Sequence, residues 1–462
     1  MKLFSRTLTF STPFWMITAS ILGSVLSPIH TARAELPALP SRLIIGVDGV
    51  AYRTMQELQQ EGFYKTFFPV SRTVSTFPSL SSIAWADILH TRAPLGYDRF
   101  HFHACQHGDM KHPTEFSGSI LGSGDHEEAH DLWDYHIPSL LTFGTNVAPG
   151  KTIRLEMSKI TEGFFSTQGK VTYYGYIVST DNLQHNGGDV RPVLRWISGE
   201  VEKIAETYHQ MTGQDLEIVI VSDHGNSLTA RAKKVPLRQT LRAHGYHLTQ
   251  KAKNSHDVAV GADGILSVFP VYVDASVQAE VANVLSEMAG VELVTERDAQ
   301  NPNRIWIRRK SGAIGVIEKR VDEKGELFLR YSSISGDPLS YLPLVERLNL
   351  AGKTMSDGFV KNEDWKQASF DHEFPVALER IVKAHDSVAG TPAPIIVSLL
   401  DGHVIEFGAF MNVVQKLKHM GQTHGSLNSN SSNGILMSNR IPTVDTTTDR
   451  VTDQVSVSDF KH

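Results

Sequence analysis

The sequence predicts an α/β fold: a mostly parallel central sheet with helices on both faces, joined to a smaller α+β accessory subdomain. Three observations carry this. Apolar, β-branched runs suited to strands buried on both faces recur at Arg42 to Val47, Val171 to Val178 and Ile218 to Val221. Each run leads into a carboxylate, Asp48, Asp181 or Asp223, and in open α/β sheets the carboxyl ends of strands are where ligands bind. Helical periodicity fills much of the sequence between the runs, and the order strand, helix, strand fits right-handed parallel crossovers. At 462 residues the chain exceeds one compact unit of usual size, which calls for the accessory part.

The first residues read as a targeting segment. Lys2 and Arg6 precede the apolar stretch Phe14 to Leu26, and Ala32-Arg33-Ala34 then forms a small-x-small cleavage pattern. That apolar stretch falls short of the roughly 20 residues that span a bilayer. Residues 1–34 are therefore expected to be a cleaved signal peptide, leaving no stable membrane anchor and an exported protein, periplasmic or secreted. The single cysteine, Cys105, excludes an intramolecular disulfide. The net charge of −6 becomes more acidic without Lys2, Arg6 and Arg33, so no general attraction for nucleic acid duplexes or anionic membranes is expected. The 21 histidines, several beside Asp or Gly, point instead to metal chemistry.

In chain order, the first strand ends at Asp48-Gly49, where glycine lets the backbone turn closely past a bound ion. A helix from about Ala51 to Gln60 follows, with Met55 and Leu58 facing inward. In Thr76-Phe77-Pro78-Ser79-Leu80-Ser81-Ser82-Ile83, apolar residues recur at helical spacing and Pro78 suits a first turn, which puts Thr76 near the N-cap. Thr76 has two readings, a plain cap or a nucleophile at a helix N-terminus that favours an incoming phosphate. Ser79, Ser81 and Ser82 are competing hydroxyls. Arg99 to His136, rich in His, Gly and Asp, reads as a long loop near the site.

The strand at Val171 to Val178 runs into Ser179-Thr180-Asp181-Asn182-Leu183-Gln184-His185, where one helical turn would put Asp181 and His185 on the same side. A helix from about Asp189 to Met211 leads to IVIVSDHG, ending in Asp223-His224-Gly225. Beyond it, Pro236 to Gly245 reads as helix, and Ile265 to Thr295 as strand, helix, strand. Ile305 to Arg309, Ile314 to Lys319 and Leu327 to Tyr331 read as short strands. The expected organisation is a catalytic core at 35–244 and 393–442 and an accessory subdomain at 245–392. The core would resume with the strand PIIVSLL and close after Ile435 to Met437. Residues 443–462, rich in Thr, Ser, Asp and Val, read as a mobile tail.

These segments supply enough ligands for two metal sites. One would use Asp48, Asp223, His224 and the Thr76 oxygen; the other would use Asp181, His185 and His424, the last lying in Gly421-Gln422-Thr423-His424-Gly425. His403, after Asp401-Gly402, is the rival for His424. Mixed carboxylate and imidazole ligands suit two divalent ions, Zn²⁺ first and Mn²⁺ second. Two such ions about 3.5–4 Å apart can serve an in-line displacement.

The motifs LIIGVDG, TFPSLSSI, TDNLQHNGG, VSDHG and QTHGSLN, in this order, resemble the alkaline phosphatase superfamily, nearest its type I phosphodiesterase/nucleotide pyrophosphatase branch. The resemblance spans about Arg42 to Pro442. It implies an alkaline phosphatase-like fold and Thr76 as catalytic nucleophile, with the two metal sets just given. Ser79 stands where that branch usually carries asparagine, and no asparagine lies between Thr76 and His136 to hold a phosphoryl oxygen. That argues against a nucleotide substrate and leaves the Phe77 backbone N–H as oxyanion donor. The sulfatase signature is absent. The expected activity is hydrolysis of a small-molecule phosphoester, with phosphodiesters favoured because no Arg or Lys adjoins Thr76. The alternatives are a phosphoryl or phosphoethanolamine transferase of the same fold, and a non-catalytic exported metal-binding protein.

Overall fold

The computed structural model describes residues 38–97, 101–103, 109–111, 131–138, 148–229, 231–249, 252, 254–261, 265–405 and 421–455. The expected targeting segment and most of the His-rich stretch at 99–136 lie outside the described residues. Residues 39–455 contain a six-stranded central sheet built from β1 (Arg42–Val47), β2 (Ser71–Val74), β3 (Thr172–Ile177), β4 (Glu217–Val221), β5 (Asn433–Ser438) and β6 (Thr446–Thr447). Their spatial order is β6-β2-β5-β4-β1-β3. All run parallel except β5, which is antiparallel to β4 and β2.

Strand alternation assigns the two faces. Leu43, Ile45, Val47, Tyr173, Ile177, Ile218 and Ile220 share a core with Met55 and Leu58 of α1 (Tyr52–Gln60), with α3 (Pro149–Ser166) and with α5 (Arg191–Thr212). Ile44, Tyr174, Tyr176, Val219 and Val221 point to the other face, covered by Trp85, Ile88 and Leu89 of and beside α2 (Ser81–Ile88). Helices therefore cover both faces. Glycine permits a close approach of helix to strand: a Cβ at Gly175 would stand 2.7 Å from Ile160 of α3.

A second sheet has nine strands, ordered 360–361, 327–335, 313–321, 304–309, 291–297, 395–399, 268–272, 257–260, 247–249. Every pairing is antiparallel except the last. The strand Ile395–Leu399 belongs here, between 291–297 and 268–272, and does not resume the central sheet as its sequence suggests. Five buried residues, four of them apolar, report burial on both faces and carry no information about which sheet supplies it.

The C-terminal stretch also departs from expectation. From Thr443 to Val455 it is folded: β6 adds to the sheet edge, and Val451 and Val455 pack on Trp85 and Trp133. Its polar residues are tied down by ion pairs, Asp445 to Arg72 at 2.5 Å and Asp449 to Lys383 at 2.9 Å. A polar composition reads as mobile only when such partners are not visible. Ending the chain at Pro442 is expected to cost about 2 kcal/mol or more, from Val451 and Val455 burial alone. Thermal unfolding of the truncated protein checks this; an unchanged midpoint would mean the stretch contributes nothing.

Candidate active site

The registers Val47↔Ile177 and Gly46↔Val221 bring the ends of β1, β3 and β4 level at one sheet edge. Asp48 follows β1 directly, and Asp223 and His224 follow β4 after Ser222. After β3 the chain enters α4 (Ser179–His185), which carries Asp181 and His185 one turn apart. His424 arrives on a loop pinned from the second sheet's side, where the Ser267 amide donates to the His424 carbonyl at 2.7 Å.

Six expected ligands converge as two triads: Asp48, Asp223 and His224; and Asp181, His185 and His424. Within each, the candidate ligand atoms all lie within 4.8 Å of one another. His224 Nε2 is 3.5 Å from Asp48 Oδ1 and 3.3 Å from Asp223 Oδ2. Asp181 Oδ2 is 2.8 Å from His185 Nε2 and 3.6 Å from His424 Nε2. The triads adjoin: the His224 and His424 rings stack with centroids 3.9 Å apart. Gly49 lies between them at φ +63°, and a Cβ there would stand 2.6 Å from Asp181 Oδ1. His403 is elsewhere, in a short strand paired with Lys233–Val235.

The second ring nitrogens are all engaged. Nδ1 of His185, His224 and His424 meets the carbonyls of Gln422, Gly225 and Ser79 at 2.9, 2.8 and 2.8 Å. This arrangement protonates Nδ1 and turns the Nε2 lone pair toward the carboxylates, the state a metal ligand needs. Asp223 Oδ2 is buried and accepts no hydrogen bond, a cost that a cation would remove. Burial, then the charges of Asp223 and Asp181, pushes the Asp48 carboxyl well above its ordinary pKa. Burial also raises Asp223. Burial works against ionised Asp181 too, but His185 and His424 outweigh it and lower its pKa. Burial and the neighbouring His224 hold His424 down to about 3, keeping it neutral. Three buried carboxylates facing imidazole Nε2 atoms fit divalent cations.

Thr76 is not joined to these triads. Its Oγ1 donates to the Pro78 carbonyl at 2.9 Å, and the helix begins five residues later, with Leu80 rather than Thr76 at the N-cap. The reason is non-local: the Ser79 amide bonds the Gly425 carbonyl at 3.2 Å, which holds 76–80 out of the helix. Phe77 is a core residue. Ser81 is the first residue of α2. Its Oγ lies 3.2 Å from Asp48 Oδ1 and 3.1 Å from His224 Nε2.

Further side chains support the ligands. Tyr176 OH hydrogen-bonds Asp48 Oδ2, and Asn226 Nδ2 donates to Asp181 Oδ1 at 2.8 Å. Strand alternation marks Tyr176 as pointing to the same face as Tyr174; nothing local marks Asn226 beyond its place after Asp223-His224-Gly225. Glu156 of α3 is buried near the start of α4. Burial pushes its pKa up from 4.5 to about 8, with Ser179 and Val178 pulling the other way. An acid raised on folding stabilises the fold below its unfolded pKa, and that stability is lost as pH rises through its folded value. Glu156→Gln should therefore raise the unfolding midpoint over wild type at about pH 9, with the gain shrinking toward about pH 5. A pH-independent difference would contradict this.

No protein-family model matches the sequence, and no curated protein matches it. Among solved structures, the chain is similar to murine ectonucleotide pyrophosphatase/phosphodiesterase 5, at 10% identity and a TM-score of 0.46, covering 91% of this chain and 95% of that one. It is also similar to the human form of that protein, at 12% identity and a TM-score of 0.43, covering 91% and 94%. Phosphonoacetate hydrolase from Sinorhizobium meliloti, in complex with phosphonoformate, is similar at 12% identity and a TM-score of 0.47, covering 88% and 91%.

Proposed function

We propose that this chain is an exported, metal-dependent hydrolase of phosphoric esters in which the Ser81 hydroxyl is the nucleophile. One observation carries the reading: a hydroxyl at the start of a helix, donating to Asp48 Oδ1 and lying 3.1 Å from His224 Nε2, beside two adjoining carboxylate–imidazole triads. Asp48, Asp223 and His224 would hold one divalent ion, and Asp181, His185 and His424 the other. Their donor types suit Zn²⁺ first and Mn²⁺ second. Bound there, the ions supply positive charge for phosphoryl oxygens and lower the proton affinity of a nearby hydroxyl or water.

The chain supplies the positioning. Ser81 and Ser82 open α2, so their N–H groups are among the four without an intrahelical partner and are suited to meet phosphoryl oxygens. The Ser81 oxygen bonds to phosphorus as its proton is lost to solvent and the bond to the opposite, leaving oxygen breaks; that oxygen takes up a proton from water. Water then hydrolyses the serine ester to release the phosphoryl product. Thr76, with Phe77 N–H as oxyanion donor, remains the assignment that the family resemblance implies; the hydrogen bonds of Ser81 favour Ser81.

The preferred substrate is a small-molecule phosphodiester. Among the described residues, no Lys or Arg pairs with Asp48, Asp181, Asp223 or Ser81 to balance the second charge of a monoester. Export rests on residues 1–34; among the described residues no helix is long and apolar enough to cross a membrane. The test is hydrolysis of bis-p-nitrophenyl phosphate, p-nitrophenyl phosphate and p-nitrophenyl sulfate by the zinc-loaded protein. The diester should turn over fastest, and preference for the sulfate would overturn the reaction class.

A further inference from the structure

Arg380, on α6 (Ala377–Asp386), is buried and lies outside every motif that carries a ligand. Among the described residues it has no carboxylate partner; burial, the main influence, lowers its pKa to about 9. A buried guanidinium without a counter-ion is costly unless its fixed fork of donors is used. Here Nη1 donates to the carbonyls of Pro375 and Leu427, both at 3.0 Å. Nη2 donates to the Thr76 carbonyl at 3.0 Å, to Ser79 Oγ at 3.3 Å and to Ser432 Oγ at 2.6 Å. One side chain thus ties the turn before α2 to the loop after His424.

Those two segments are also joined directly, at Ser79. The Ser79 carbonyl accepts from His424 Nδ1 at 2.8 Å, and the Ser79 amide bonds the Gly425 carbonyl at 3.2 Å. Ser81, two residues on, carries the hydroxyl at Asp48 and His224. A shift of the 76–79 backbone would therefore move the Ser81 hydroxyl and His424 Nε2 together. We propose that Arg380 is a positioning residue whose guanidinium clamps the Thr76–Ser79 turn onto the 424–432 loop and so sets the Asp181/His185/His424 metal site. This rests on the two-ion reading above. It extends that reading to a residue that touches neither ion nor substrate.

The experiment is cobalt(II) titration followed by visible absorption, which needs no substrate. Wild-type protein should take up two equivalents. Arg380→Ala should bind the first with wild-type affinity and the second at least about 10-fold more weakly, the scale seen when support of a metal ligand is removed. Millimolar guanidinium, but not sodium chloride at equal ionic strength, should recover the second site. Two unaltered sites in a folded Arg380→Ala protein, or weakening without guanidinium rescue, would overturn the clamp and leave Arg380 a packing residue. If that variant does not fold, Ser432→Ala removes the 2.6 Å contact, together with the hydroxyl's bonds to the Leu427 and Asn428 carbonyls within the same loop. The same weakening of the second ion supports the clamp, and unaltered binding overturns it. Wild-type protein that binds fewer than two ions overturns the two-ion reading itself, and the clamp with it.

Discussion

Ser81→Ala is expected to lower kcat/KM for a phosphodiester by about 10³-fold or more, the scale on which an enzyme loses its nucleophile. Ser81 is half-buried at the first turn of α2, and among the described residues its Oγ is within hydrogen-bond distance only of Asp48 and His224. Both triads should therefore keep their ions and the unfolding midpoint should move little. Thr76→Ala removes only a 2.9 Å hydrogen bond to the Pro78 carbonyl, and less than about a 10-fold loss is expected. The pair separates two assignments that sequence alone left in competition. An active Ser81→Ala protein beside an inactive Thr76→Ala protein would return the chemistry to Thr76.

Asp181→Asn carries the second large effect. Asp181 Oδ2 is the atom on which His185 and His424 converge, while Oδ1 accepts from Asn226. Removing the charge leaves two imidazoles without the anion that completes their triad. The substitution should release one of two bound ions, measured by elemental analysis, and reduce turnover by at least about 10²-fold, as positioning in a displacement reaction is lost. Retention of both ions would mean that Asp181 is not a ligand.

Much of this site was legible in the sequence because its signals are local. A buried strand followed by an acid, or by Asp-His, is visible within eight residues, and Asp181 with His185 needs only the helical repeat. The fold class followed from the same strands. What escaped depends on partners far along the chain. The turn at 76–80 reads as a first helical turn by its proline, yet Gly425 and Arg380 hold it outside the helix, moving the helix start to Ser81. The strand Ile395–Leu399 is buried as expected but in the other sheet, since apolar runs do not name their neighbours. The stretch after Thr443 looked free because Arg72 and Lys383, which fix it, lie far upstream. Arg380 itself carried no motif; only its buried position, without a carboxylate, marks it.

Six side chains from four segments are proposed to hold two cations beside Ser81. Anomalous diffraction at the zinc edge, from crystals grown with Zn²⁺, tests it most directly. The account predicts two peaks about 3.5–4 Å apart, one at Asp48, Asp223 and His224 and the other at Asp181, His185 and His424. A single peak, or peaks away from these residues, would contradict it.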